Sequence, residues 1–68
     1  MNLQGKTVLV LGMGETGLSM VKWLSRQGAH IRVADSRMEP PGWKEIMETF
    51  PSAQVHRGHF EPEIFEDV

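Results

Sequence analysis

The chain contains no cysteine. That single absence removes disulfides, thiolate chemistry and cysteine-based zinc sites, and it fits a reducing compartment such as the cytoplasm. Basic clusters are missing too. Seven Lys and Arg stand against nine Asp and Glu, for a net charge of −2, so there is no electrostatic footprint for nucleic acid. Long apolar runs are also lacking. The longest near the start is Val8–Leu11, far too short for a membrane span, and no cleavage site of a signal peptide follows it. There are no internal repeats, no linker and no low-complexity stretch. All four prolines lie beyond Asp35, so nothing interrupts the first part of the chain.

What remains has the composition of folded protein. Apolar residues make up 40%, and 7 glycines bring the sum near the roughly 45–50% usual for globular chains. With 68 residues it is shorter than the ~100 residues or more of an ordinary doubly wound domain. A chain of this size buries only about 60% of its unfolded surface, which leaves little margin of stability.

The first pattern is Lys6-Thr7-Val8-Leu9-Val10-Leu11. It is apolar without alternation and rich in β-branched residues, as a strand buried on both faces of a parallel sheet reads. From Glu15 to Gln27, Gly17, Met20, Val21 and Leu24 recur at i, i+3, i+4 and i+7, which predicts a helix with those residues on its core face. Trp23 falls off that stripe. Gly28 suits the left-handed C-cap, and Arg26 faces the negative end of the helix dipole. His30–Ala34 predicts a second strand that stops at Asp35. Pro40-Pro41-Gly42 predicts a turn opening a second helix, with Trp43, Ile46, Met47 and Phe50 on one apolar face and Pro51 closing it. Gln54–Arg57 predicts a weaker third strand, ended by Gly58. Glu61–Glu66 predicts the start of another helix, with Pro62 at its first position.

The order β-α-β-α-β plus a helical stub predicts an α/β, Rossmann-like parallel sheet with right-handed crossovers. A doubly wound sheet adds its next strand on the far side of the first one. That strand would begin after Val68, so the chain reads as the N-terminal part of a larger domain. The outer edge of the first strand is then open, and open apolar edges invite pairing with another chain.

The chemistry centres on Gly12-x-Gly14-x-x-Gly17. It follows a strand and opens a helix, the context that a phosphate-binding fingerprint requires. Gly12 allows the tight turn, Gly14 lets backbone approach a ligand, and Gly17 lets the helix lie close to the strand. Unpaired N–H groups at the helix start, with the dipole behind them, attract an anion. Asp35 ends the next strand at about the 20-residue distance where dinucleotide folds place an acid on the ribose. A carboxylate there accepts an N–H from a base equally well. Arg37, two residues on, carries a planar guanidinium suited to stacking on a base or pairing with phosphate. Three readings fit these residues: a nucleotide-substrate site, the NAD(P) site of an oxidoreductase, and a glycine turn without a ligand. His56-x-x-His59 with Glu61 nearby straddles a strand end and does not share one helix face, which argues against a metal site.

"GMGETGLS" followed by "VADSRMEPPG" resembles the N-terminal domain of the Mur ligases, and most of all their D-glutamate-adding branch. The likeness is strong from Gln4 to Gly42 and weaker beyond. It implies that Gly14, Glu15, Thr16 and Gly17 offer backbone N–H groups to the diphosphate of UDP-N-acetylmuramoyl-L-alanine, and that Asp35, Ser36 and Arg37 frame the uracil. It also implies ATP-dependent amide formation in peptidoglycan synthesis, with ATP and magnesium as cofactors, a cytoplasmic location, and a part in cell shape and division. Glu15 would need its carboxylate turned away from the diphosphate. No Gly-Lys-Ser/Thr loop follows a strand here, since Gly5-Lys6-Thr7 precedes one. Catalytic groups are therefore expected beyond Val68, and the 68 residues alone are expected to be inactive.

Overall fold

A computed structural model describes residues 2–68. Strand β1 spans Thr7–Leu11, helix α1 Glu15–Arg26, strand β2 His30–Asp35, helix α2 Trp43–Thr49 and strand β3 Gln54–Arg57, followed by a 3-10 turn at Pro62–Phe65. The strands form one parallel sheet in the order β1-β2-β3. β1 runs beside β2 from Thr7 opposite His30 to Leu11 opposite Ala34, and β2 beside β3 from Arg32 opposite Gln54 to Asp35 opposite Arg57. The α/β, Rossmann-like architecture expected from the sequence is the one observed. Among the described residues, no helix is long and apolar enough to cross a membrane.

The core is small and continuous. Val10 from β1, Ile31 and Val33 from β2, Val21 and Leu24 from α1, Ile46 from α2 and Met13 from the glycine turn pack together. Burying each such side chain contributes on the order of 1.5–3 kcal/mol. α1 lies close to the sheet because Gly17 has no side chain: a Cβ there would overlap the Gly12 carbonyl oxygen. Gly12 itself sits at φ +102°, in the left-handed region, where any other residue is strained. Gly28, at φ +77°, ends α1 as expected.

Four expectations change. Met20 is not in the core but 43% exposed. It lines a cleft beside Leu11 at the end of β1, and Gly17, Val21 and Leu24 are the buried residues of α1. β1 is not buried on both faces either: Val10 is buried, Val8 and Leu9 are half-buried, and Leu11 is 57% exposed. A strand with one neighbour has one side without cover. On α2 only Ile46 is fully buried. Trp43 and Phe50 flank the core partly buried, and Met47 is exposed. A seven-residue helix presents too short a face to sink four large side chains. Finally, the helical stub expected at Glu61–Glu66 is present, with Pro62 in its first position, but as a 3-10 turn at Pro62–Phe65 and not as an α-helix. Arg32 Nη1 donates to the carbonyls of Ile64 (2.9 Å) and Glu66 (2.6 Å), and at 3.4 Å to Glu63. The guanidinium thus occupies carbonyls that a continuing α-helix would have bonded to its own N–H groups.

The contact of Gly17 with Gly12 generates a stability prediction. Gly17→Ala should destabilise the full-length protein by about 1–3 kcal/mol, the usual cost of overpacking. Ser19→Ala, at an exposed position of the same helix, should stay within about 0.5 kcal/mol of the parent. Denaturant unfolding of the two variants checks both values.

Candidate functional site

β1 ends in a turn held by two of its amides. Gly12 N–H donates to the Ala34 carbonyl at 2.7 Å, extending the ladder with β2. Met13 N–H donates to Asp35 Oδ2 at 2.9 Å. Gly14 then caps α1 in an extended conformation (φ −89°, ψ −162°) with no side-chain cap, and the first helical bond runs from Leu18 N–H to the Gly14 carbonyl at 2.9 Å. The N–H groups of Glu15, Thr16 and Gly17 have no partner within an α-helix by its geometry. They stand at the positive end of a 12-residue helix, which favours an anion there.

Asp35 is 4% exposed and is the buried charged group of this structure. Both its oxygens are occupied. Oδ1 accepts from Arg37 N–H and Arg37 Nε–H, each at 2.9 Å. Oδ2 accepts from Met13 N–H and from Arg37 Nη2–H at 2.7 Å. The Arg37 hydrogen bonds, chiefly, hold the carboxyl well below the usual carboxylate range, and the Met13 amide adds to this against the opposing effect of burial. Arg37 is held more firmly charged by the same bonds, although 57% of its side chain remains exposed.

A second loop rests on the first. Gly42 N–H donates to the Met13 carbonyl at 2.7 Å. A Cβ on Gly42 would lie 2.7 Å from that oxygen, so the approach requires glycine. Pro40 beside it is buried. Both backbone polar groups of Met13 are thereby used, the N–H by β2 and the carbonyl by the second loop. Its side chain is fully buried.

Two clefts flank the glycine turn. One of about 340 Å³ lies toward the open edge of β1 and is lined by Gly12, Gly14, Glu15, Thr16, Gly17 and Met20 together with the end of β1. The other, of about 240 Å³, separates the starts of α1 and α2 and includes Gly14, Glu15, Pro41 and Gly42. A third hollow of about 240 Å³ lies at the opposite ends of the strands, by Thr7, His30 and Gln54, and touches neither the glycine turn nor Asp35, Ser36 and Arg37. The structure therefore gathers Gly14, Glu15, Thr16 and Gly17 around one opening. Asp35, Ser36 and Arg37 line neither of the flanking clefts. Asp35 reaches the turn through Met13, Ser36 is exposed, and Arg37 folds back over the Asp35 carboxylate. The Glu15 side chain is exposed.

Sequence reasoning passed over Met13 and Gly42. Met13 occupies the variable position inside G-x-G, and Pro-Pro-Gly signalled only a helix start. The absence of a side chain at Gly42 was the one available hint of a close approach. His56 and His59 do not form a donor set: His56 Nε2 lies 2.7 Å from the His59 carbonyl oxygen. No three His, Cys, Asp or Glu among the described residues come together as metal donors.

Comparison with known proteins places the chain in a family. The family model described as the Mur ligase MurD-like N-terminal domain matches residues 6–68. The chain belongs to this family. Among its relatives, the UDP-N-acetylmuramoylalanine–D-glutamate ligase of Nitrosospira multiformis is 54% identical over all 68 residues, and those of Nitrosomonas eutropha and Methylobacillus flagellatus are each 48% identical over the same span. The chain covers 14–15% of the length of these relatives. The oxidoreductase alternative finds no support among them. In this MurD-like domain the glycine turn and the Asp35 exit are joined through one amide, that of Met13.

Acid stability should report on that joint. Asp35 titrates near its ordinary value of 3.8 when the chain is unfolded and well below it when folded. Its contribution is therefore complete above about pH 4 and is lost as the pH falls through the folded-state value. Unfolding free energy of the full-length protein, measured from pH 7 to pH 2, should drop below about pH 4. Asp35→Ala should remove part of that drop. At pH 7 the variant should be less stable by about 1–3 kcal/mol, because the buried Met13 N–H loses its acceptor. Arg37→Ala leaves that bond in place but strips the buried carboxylate of its charged partner, and should cost at least as much.

Proposed function

We propose that this chain is the UDP-substrate-binding N-terminal part of an ATP-dependent ligase that adds D-glutamate to UDP-N-acetylmuramoyl-L-alanine in peptidoglycan synthesis. The observation that carries the reading is the uncapped glycine turn at the start of α1, anchored on Asp35, in a chain of the MurD-like family. Relatives that match it along its whole length bear the name of that ligase.

In this reading the amides of Gly14, Glu15, Thr16 and Gly17 receive the diphosphate, as helix N-termini receive phosphates generally. The exposed side chain of Glu15 is free to turn to solvent, away from the anion. Asp35, Ser36 and Arg37 meet the uracil, which offers one imide N–H between two carbonyl oxygens. A carboxylate oxygen accepts about two hydrogen bonds, and Oδ1 already accepts two, both from Arg37. An incoming imide N–H therefore takes the place of the Arg37 side chain. The displaced guanidinium then lies on the base, to which its planar shape is suited, and the Ser36 hydroxyl or a backbone N–H serves a carbonyl oxygen of the base.

ATP and magnesium belong, in this reading, to parts of the full-length protein outside these 68 residues. No Gly-Lys-Ser/Thr loop follows a strand here, and no cluster of three metal donors exists among the described residues. Neither group fits the residues present, so the reaction itself is assigned to those other parts and the 68 residues alone to substrate binding. The enzyme would work in the cytoplasm, which suits a chain without cysteine, and would serve cell-wall biogenesis and so cell shape and division. The bare outer edge of β1, with Leu11 exposed, is the surface through which the isolated 68 residues would associate with one another.

Titration of the full-length protein with UDP-N-acetylmuramoyl-L-alanine and, separately, with NAD tests the function. Binding of the UDP compound is expected, weakened on Asp35→Ala by about 1–3 kcal/mol, the usual worth of a hydrogen bond to a charged group. NAD binding that collapses on Asp35→Ala, with no response to the UDP compound, contradicts the reading. For the isolated 68 residues, sedimentation should show association that rises with concentration. A monodisperse monomer with fully protected Val8–Leu11 amides would refute the edge contact.

A further inference from the structure

The loop between β2 and α2 carries Ser36 and Arg37, and its four residues Ser36–Glu39 are all exposed. Its two ends are secured. At the start, Arg37 N–H is bonded to Asp35 Oδ1. At the far end, Pro40 is buried and Gly42 N–H is bonded to Met13. The middle has one tether among the described residues. Arg57 Nη1 donates to the Met38 carbonyl at 2.7 Å, and no other hydrogen bond reaches the backbone of Met38 or Glu39. Arg57 closes β3, directly opposite Asp35 in the sheet register. Its guanidinium lies over the Trp43 ring, 3.8 Å from the centroid, and it forms no ion pair with a carboxylate among the described residues. This contact holds the guanidinium beside the loop, where Nη1 reaches the Met38 carbonyl. Next to it, Gly58 leaves room for Met38: a Cβ on Gly58 would lie 2.7 Å from the Met38 sulfur.

The geometry points to Arg57 as a positioning residue for nucleotide recognition. Stacked on Trp43 and bonded to the Met38 carbonyl, it holds the Ser36–Glu39 loop in the shape that presents Ser36 and Arg37 to a uracil base. This rests on the function proposed above. The physical argument is preorganisation. Each loop residue that is disordered before binding must be ordered during it, at the expense of affinity. A charge-assisted hydrogen bond backed by an aromatic stack removes that cost beforehand. The effect is confined to the base side of the ligand, because the diphosphate side is held separately by α1 and by Met13. Lysine is a poor substitute. It reaches a carbonyl as a point charge but lacks the planar group that lies over Trp43.

The test uses the full-length protein with Arg57→Ala, Arg57→Lys and Trp43→Leu. Hydrogen exchange reads the tether directly. Exchange of the Arg37 amide, which is bonded to Asp35 at the start of the same loop, should accelerate in Arg57→Ala, with the amides of β1 and α1 unchanged. Titrations with UDP, ADP and inorganic pyrophosphate read recognition. UDP binding should weaken about tenfold, as for one lost hydrogen bond, so that the preference for UDP over ADP narrows while pyrophosphate affinity stays constant. Arg57→Lys and Trp43→Leu should fall between Arg57→Ala and the parent. Unchanged loop exchange in all three variants would overturn the tether. An unchanged UDP-to-ADP preference, or a proportional loss for UDP and pyrophosphate together, would overturn its role in recognition. If the parent protein itself bound no UDP, the proposed function would fail, and the exchange data would still decide whether Arg57 holds the loop. Should Arg57→Ala fail to fold, the milder two variants give the same readings.

Discussion

One buried carboxylate organises this end of the sheet. Asp35 accepts four hydrogen bonds, one from the glycine turn and three from Arg37. A buried carboxylate is costly unless paired and fully bonded, and here every acceptor position is used. Through Met13, the bond fixes where β1 releases the chain and therefore where α1 begins. Through Arg37, it fixes how the chain leaves β2. The electrostatic requirement of one side chain thus sets the relative position of the two loops on which substrate recognition is proposed to depend.

Around that carboxylate the loops approach more closely than side chains would permit. Gly17 lies on the Gly12 carbonyl, and Gly42 lies on the Met13 carbonyl. The two glycines act differently from Gly12, which is needed for its positive φ. Close packing draws the start of α1 onto the end of β1 without covering the first-turn amides. Polar groups that a helix cannot satisfy internally are left facing an open cleft. The Arg57–Trp43 stack extends the same arrangement outward, from β3 to the middle of the second loop.

Burial is uneven across the sheet. Val33 and Ala34 in the central strand are fully buried, whereas Leu11 at the end of β1 is more than half exposed, and Met20 and Trp23 on α1 somewhat less than half. The exposed apolar residues Leu11 and Met20 lie on the side of the sheet where β1 has no neighbour. The stretch is 14–15% of the length of the three relatives compared. In the proposed function, one sheet edge and two loops are the share of a larger substrate site that such a stretch carries.

Local sterics are legible in a sequence, and much of this fold is local. β-branched runs, the glycine spacing, the left-handed cap at Gly28 and the helix stripe of Gly17, Val21 and Leu24 depend on a few neighbouring residues. They determined the element order, the parallel sheet and the glycine turn that opens α1. The motif from Gly12 to Gly42 carried the family resemblance for the same reason. Tertiary structure decided what depends on distant partners. Met20 was legible as helical and apolar, but whether it is covered depends on a strand beside β1, not on its own periodicity. Asp35 was legible as a strand-end acid, yet its bond to Met13 spans 22 positions and its capture of Arg37 depends on a rotamer. The bond from Arg57 to Met38 spans 19. Such contacts leave no periodic trace, because they join residues that only the pairing of β2 with β3 and the docking of two loops bring within hydrogen-bonding distance.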